Sequence, residues 1–217
     1  MIERYHWSGD SELIQWFGEA DQPALIVFEP LFEERNRCRR MIAQMARELN
    51  KAQISVAIPD LPGVGESLTG IETLNFENWA SAAQSACDAL TPVGIISMRG
   101  GVLAAPASTR IPHWSFAPEQ GTRIVRDLER VRKASGDEGY GYSGHPLTEQ
   151  FVASLSEASF NDRPSLHVVR LESDAGAANE KVTGVPLWRR AEPGEDEVLS
   201  KALAQSIVAW GQSCGAW

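Results

Sequence analysis

Apolar positions along the chain follow two rhythms. Short unbroken runs rich in Val and Ile occur at residues 24–28 (ALIVF), 54–58 (ISVAI) and 93–96. Shorter or mixed runs follow at 113–116 and 165–171. Each is too short for a helix, and Pro30 and Pro59 stop the first two, so each predicts a buried strand. Between them the apolar residues recur every three or four positions. Met41, Ile42, Met45 and Leu49 mark a helix over residues 33–50. Phe76, Trp79, Ala83, Ala86 and Leu90 mark one over 75–90, with Asn75 as its cap. Ile124, Val125, Leu128 and Val131 share one face of a helix over 122–133, and further helices are expected at 148–155 and 197–210. Strand and helix alternate, which predicts an α/β fold: a mostly parallel sheet covered by helices on both faces. The segments around Tyr5 to Trp7 and Leu13 to Phe17 fit an antiparallel hairpin at one edge.

No linker divides the chain, so residues 1–217 are read as one domain. The stretch 135–144 (SGDEGYGYSG) has four glycines in ten residues and predicts a mobile loop. With the helix after it, about 135–160 forms a small lid or insertion.

Composition adds exclusions. The 217 residues carry 20 Lys+Arg against 29 Asp+Glu, a formal net charge of -9, which argues against a general nucleic-acid binder. No apolar run approaches the roughly 18 residues that span a bilayer, and the N-terminus is polar. Three widely spaced cysteines, Cys38, Cys87 and Cys214, suggest neither a disulfide framework nor a zinc site. No metal, dinucleotide or phosphate-loop motif appears, so no cofactor is expected. The expected compartment is the cytoplasm.

Ligands of an open parallel sheet bind at the carboxyl ends of its strands, and four turns lie there. Asp60 to Ser67 reads D-x-P-G-x-G-x-S, a post-strand turn widespread in α/β-hydrolases. Ser97-Met98-Arg99-Gly100-Gly101 follows a strand and precedes a short helix, the context of a nucleophile elbow, G-x-S-x-G. Its small residues two before and two after the tip are Ser97 and Gly101, which puts Arg99 in the nucleophile slot. A guanidinium cannot attack, so no serine triad is written here. Glu29 to Arg40 concentrates charge at a helix start, and its Leu31 is placed to offer an oxyanion-type N–H together with that of Gly100. The fourth turn follows the 165–171 strand, where Glu172 or Asp174 stands at the acid position. No histidine follows, since His167 is the last. His6 and His113 read as structural, and His145 alone has a route to the site.

Three readings of Arg99 stay open. It is an electrophile, with Glu34 or Asp60 activating water. It is an anchor for a small-molecule, acyl or other anionic ligand, backed by Glu33, Asn36, Arg39, Arg40, Ser67 and His145. Or it is satisfied by Glu33 or Glu34 and pins two loops together.

The segments PLFEERNRCRRM (30–41), DLPGVGES (60–67), SMRGG (97–101) and TGVPLWRR (183–190) resemble the exosortase A system-associated hydrolase family, type 2. WSFAPEQGTRIVRDLERVRKA and GHPLTEQF extend the resemblance over most of the chain. It implies an α/β-hydrolase fold, a functional link to exosortase or polysaccharide-export machinery, and an arginine-centred elbow as a family trait. Relatives carry G-x-R-x-G, and here Ser97 replaces the first glycine.

Overall fold

The computed structural model describes residues 2–19, 21–107, 110–135, 141–142, 144–163 and 165–217. The loop expected at 135–144 falls largely outside them. Eight strands form one sheet in the order β1-β2-β4-β3-β5-β6-β7-β8. β1 (Ile2–Trp7) and β2 (Asp10–Phe17) are the expected edge hairpin, turning through Ser8 and Gly9, both at positive φ. β2 runs antiparallel to β4 (Ser55–Pro59). From there β4, β3 (Ala24–Phe28), β5 (Gly94–Met98), β6 (His113–Phe116), β7 (Leu166–Leu171) and β8 (Glu180–Val182) pair in parallel. β8 is three residues long and carries no apolar run, so the pattern did not announce it.

The parallel strands are buried on both faces, which is why their sequences are continuously apolar. On one face, Ile26, Phe28 and Ile95 pack with Trp79, Phe76 and Phe151. Those aromatics come from α2 (Phe76–Leu90) and α5 (Glu149–Glu157), and Val125 and Leu128 of α4 (Gly121–Ser135) join them. On the other face, Leu25, Val27 and Ile96 pack with α1 (Glu33–Lys51) and α6 (Glu197–Cys214) through Met41, Met45, Leu203 and Ile207. Each fully buried side chain of this kind contributes about 1.5–3 kcal/mol of transfer free energy. Asn75 caps α2 through a reciprocal pair with Asn78, Thr148 caps α5 and Asp196 caps α6. The Trp79 indole donates to Pro62 O at 2.8 Å, tying α2 to the turn after β4. α5, in the segment expected to act as a lid, buries Phe151 and Leu155 completely.

Candidate functional site

Three adjacent strands end in the same unusual way. Phe32 after β3, Arg99 after β5 and Ala117 after β6 all have positive φ, at 54°, 54° and 46°. Left-handed backbone at non-glycine residues costs on the order of 1–3 kcal/mol each and clusters at functional sites. The three residues meet at one place. Arg99 N–H donates to Phe116 O at 2.9 Å, its Nη1 donates to Ala117 O at 3.0 Å, and Phe32 and Arg99 line a common cavity.

The turn itself is a strand–tip–helix, with Arg99 at the tip and α3 (Gly101–Ala104) following. A Cβ at Gly101 would lie 2.4 Å from the carbonyl oxygens of both Phe28 and Glu29, so the position two past the tip accepts only glycine. Ser97, two before the tip, is fully buried. Its hydroxyl bonds Ser115 Oγ at 2.9 Å and His113 Nε2 at 2.8 Å. That is a serine–histidine contact, but it lies inside the sheet. Burial, reinforced by the charge of Arg163, pulls the His113 pKa down to about 3, so the ring is neutral.

The Arg99 guanidinium is held from several sides. Nε and Nη2 donate to the two oxygens of Glu34, both at 3.0 Å, and Nη2 also reaches Glu119 Oε2 at 3.3 Å. The group stacks over the Trp188 ring, 4.7 Å from its centre. Burial favours the neutral guanidine, but Glu34 and then Glu119 outweigh it and hold Arg99 charged, with its pKa above the ordinary value. Trp188 stands in the loop after the last strand, where a triad would carry its histidine. Cys38, beneath this network, has its thiol pushed up to about 12 by burial and by Glu34 beside it, and is inert.

The cavity has a volume of about 240 Å³. Its charged lining is balanced, with Glu33, Glu34, Glu119 and Asp127 against Arg37, Arg99, Arg123 and Arg189. Its apolar wall is Leu31, Phe32, Trp188 and the α4 stripe Ile124, Leu128 and Val131.

Of the residues singled out from sequence, Leu31, Glu33, Glu34 and Arg99 come together here. Gly100 lies beneath them, crowded by the side chains of Leu31 and Ile124. Among the described residues, neither the Leu31 nor the Gly100 N–H enters the backbone hydrogen bonds of turns and loops. His145 approaches the rim, its Nε2 4.0 Å from Glu33 Oε1 and its ring against Phe32; burial lowers its pKa despite Glu33. Other residues go elsewhere. Asp60 accepts from Arg35 at 2.8 Å and from the Glu66 N–H at 3.0 Å, while Arg35 also pairs with Glu29 at 2.6 Å. Ser67 donates to Glu12 at 2.8 Å and accepts from Gly63 N–H, which makes it a turn residue. Asn36, Arg39 and Arg40 face solvent, and Arg40 pairs with Glu195. Glu172 accepts from Thr183, and Asp174 from Arg170. The Asp174 carboxyl is held below its usual range because hydrogen bonds from Gly176 and Arg170 outweigh its burial.

Sequence reasoning missed Arg37, Glu119, Arg123 and Trp188. Helical spacing held part of the signal for Arg37, which follows Glu33 by four residues and Glu34 by three on α1. The strand-end rule held it for Glu119, two residues past Ala117. Among the described residues no group of His, Cys, Asp and Glu is arranged to hold a metal ion.

No protein-family model and no curated protein sequence matches the chain. Solved structures do. Est1E from Butyrivibrio proteoclasticus, in its ferulic acid-bound form, is 14% identical over 95% of this chain and 98% of its own, with a TM-score of 0.66. A putative hydrolase from Agrobacterium vitis S4 is 14% identical over 96% and 97%, with a TM-score of 0.58. The thioesterase domain from the curacin biosynthetic pathway is 11% identical over 96% and 99%, with a TM-score of 0.55. These likenesses and the mostly parallel eight-stranded sheet give this chain the α/β-hydrolase fold.

Proposed function

We propose that this chain is a ligand-binding module on a hydrolase scaffold, taking a small acyl or other anionic organic molecule in the cavity beside Arg99 without serine-triad turnover. The observation that carries this reading is the tip of the elbow. The position that must present a nucleophile presents a guanidinium already held by Glu34, Glu119 and the Ala117 carbonyl. Fold does not decide function, and the site here has the scaffold's cavity without its attacking group. Arg99 then sets the cavity wall, and Glu34 is its partner.

Ester or thioester hydrolysis by a non-standard site is the second reading. The Leu31 and Gly100 N–H groups favour it, since among the described residues neither enters the backbone hydrogen bonds of turns and loops, and Leu31 lines the cavity. Against it, Glu34 and Asp60, the carboxylates that would activate water, are each held by an arginine.

The resemblance of the sequence motifs supports a partnership with exosortase or polysaccharide-export machinery, in the cytoplasm. His145 against Phe32 and Glu33 supports a covering role for the 135–160 segment. Among the described residues no helix is long and apolar enough to cross a membrane. The test is steady-state assay of 4-nitrophenyl esters and acyl-thioesters with purified protein. The expected result is no turnover above the uncatalysed rate. Saturable turnover abolished by Arg99→Ala would replace the binding reading with the enzymatic one.

A further inference from the structure

Resting on the binding reading, we infer that the cavity takes a monocarboxylate with an apolar body, anchored by Arg37 and Arg189 and not by Arg99. The four arginines of the cavity fall into two pairs. Arg99 is neutralised by Glu34 and Glu119, and Arg123 shares Glu119 at 3.3 Å. An anion arriving at Arg99 would meet two carboxylates already in place. Arg37 and Arg189, by contrast, have no carboxylate partner among the described residues. Arg37 donates from Nη1 to Trp188 O at 3.0 Å, which draws it to the segment that carries Arg189. Its Nε is buried and has no acceptor. Two guanidiniums without a carboxylate partner create a local positive potential inside a cavity whose charged lining is balanced as a whole.

The apolar lining supplies the rest. Ile124, Leu128 and Val131 form one stripe on α4, spaced four and three residues apart. Ile124 is partly buried, Leu128 is buried and Val131, at the end of the stripe, is half exposed. An apolar ligand body would continue the stripe and cover that end. The volume of about 240 Å³ exceeds the roughly 150 Å³ that holds one benzene and lies below the range of about 300–1,000 Å³ typical of drug-sized sites. Glu33 and Asp127 in the same lining oppose a second negative charge, so a carboxylate suits the site better than a phosphate dianion.

The probe is octanoate, titrated calorimetrically into the purified chain at pH 8, beside 1-octanol, acetate and octyl phosphate. Octanoate should bind at least about 10-fold tighter than each of the other three, and more weakly as salt is raised. Arg189→Gln, at an exposed side chain, should weaken octanoate about 5- to 10-fold with an unchanged melting temperature. Arg37→Gln should act in the same direction. Absence of octanoate binding, equal binding of 1-octanol, or octanoate affinity untouched by Arg189→Gln would overturn the anchor. Turnover of 4-nitrophenyl octanoate is measured in parallel. Hydrolysis would remove the non-catalytic reading alone, and the anchor would then be judged by whether Arg189→Gln weakens octanoate as an inhibitor.

Discussion

The ends of β5 and β6 hold two polar clusters a few residues apart, and they are built on opposite principles. Inside the sheet, Ser97, His113 and Ser115 form a closed chain of short hydrogen bonds with no open face, and Ser97 and Ser115 are wholly inaccessible. At the strand ends, Arg99, Glu34, Glu119 and Arg123 face a cavity open to solvent. The first cluster has a serine and a histidine within hydrogen-bonding reach and no room for a substrate. The second has the room, and its four side chains carry no hydroxyl, thiol or imidazole. Chemistry of the triad kind needs both in one place. Here the residue types have been parted by two positions along one strand.

Substitutions that separate the clusters sharpen this contrast, and the largest effect belongs to the open one. Arg99→Ala leaves Glu34 and Glu119 without their shared cation. Breaking a buried pair costs about 3–5 kcal/mol, and discounting for the 28% exposure of Glu34 leaves about 2–4 kcal/mol. For a chain of this size the melting temperature should fall by about 4–16 °C. An unchanged melting temperature would mean that Arg99 is held for chemistry alone.

The closed cluster should reveal itself through pH. The His113 pKa is near 3 in the folded chain and near 6.5 when unfolded. The unfolded state therefore takes up the proton first as pH falls. The stability is whole above pH 6.5 and is lost between 6.5 and 3, with a slope of up to about 1.4 kcal/mol per pH unit. Denaturant unfolding at pH 7 and pH 5 should show wild type losing about 2 kcal/mol more than His113→Gln. Equal losses would place a charged imidazole in the fold.

Ser97→Ala removes the hydroxyl between His113 and Ser115. It should cost about 1–2 kcal/mol in the same unfolding assay, through unpaired buried groups. Ligand binding in the cavity should stay as it was. Weakened binding would show that the clusters communicate. Smallest of all, Arg40→Ala removes an exposed pair with Glu195 and should change stability by less than about 0.5 kcal/mol. A larger loss would restore Arg40 to the functional network expected of it from sequence.

The architecture was legible because periodicity reports burial directly. Ala24–Phe28 and the Met41, Ile42, Met45, Leu49 face lie where their apolar spacing puts them. Asn75 caps α2, as its polar side chain before an apolar helix predicts. Sequence also placed Arg99 at the tip, because the demand for small residues at Ser97 and Gly101 is steric and local. What it did not resolve was partnership. Within the charged start of α1, side-chain direction sends Arg35 to Glu29 and Asp60, Glu34 to Arg99, and Arg40 to Glu195. Those choices depend on loops distant in sequence, such as Ala117–Glu119 and Leu187–Arg189. β8 went unread because three residues carry too little period to be seen.

The most direct test of the central claim is fluorophosphonate labelling of the folded protein, read by intact mass and peptide mapping. No adduct is expected on any serine, Ser97 and Ser67 included, in protein whose unfolding transition is intact. A stoichiometric adduct on Ser97 would contradict it, showing that the buried serine–histidine pair opens to solvent and that the elbow retains a working nucleophile.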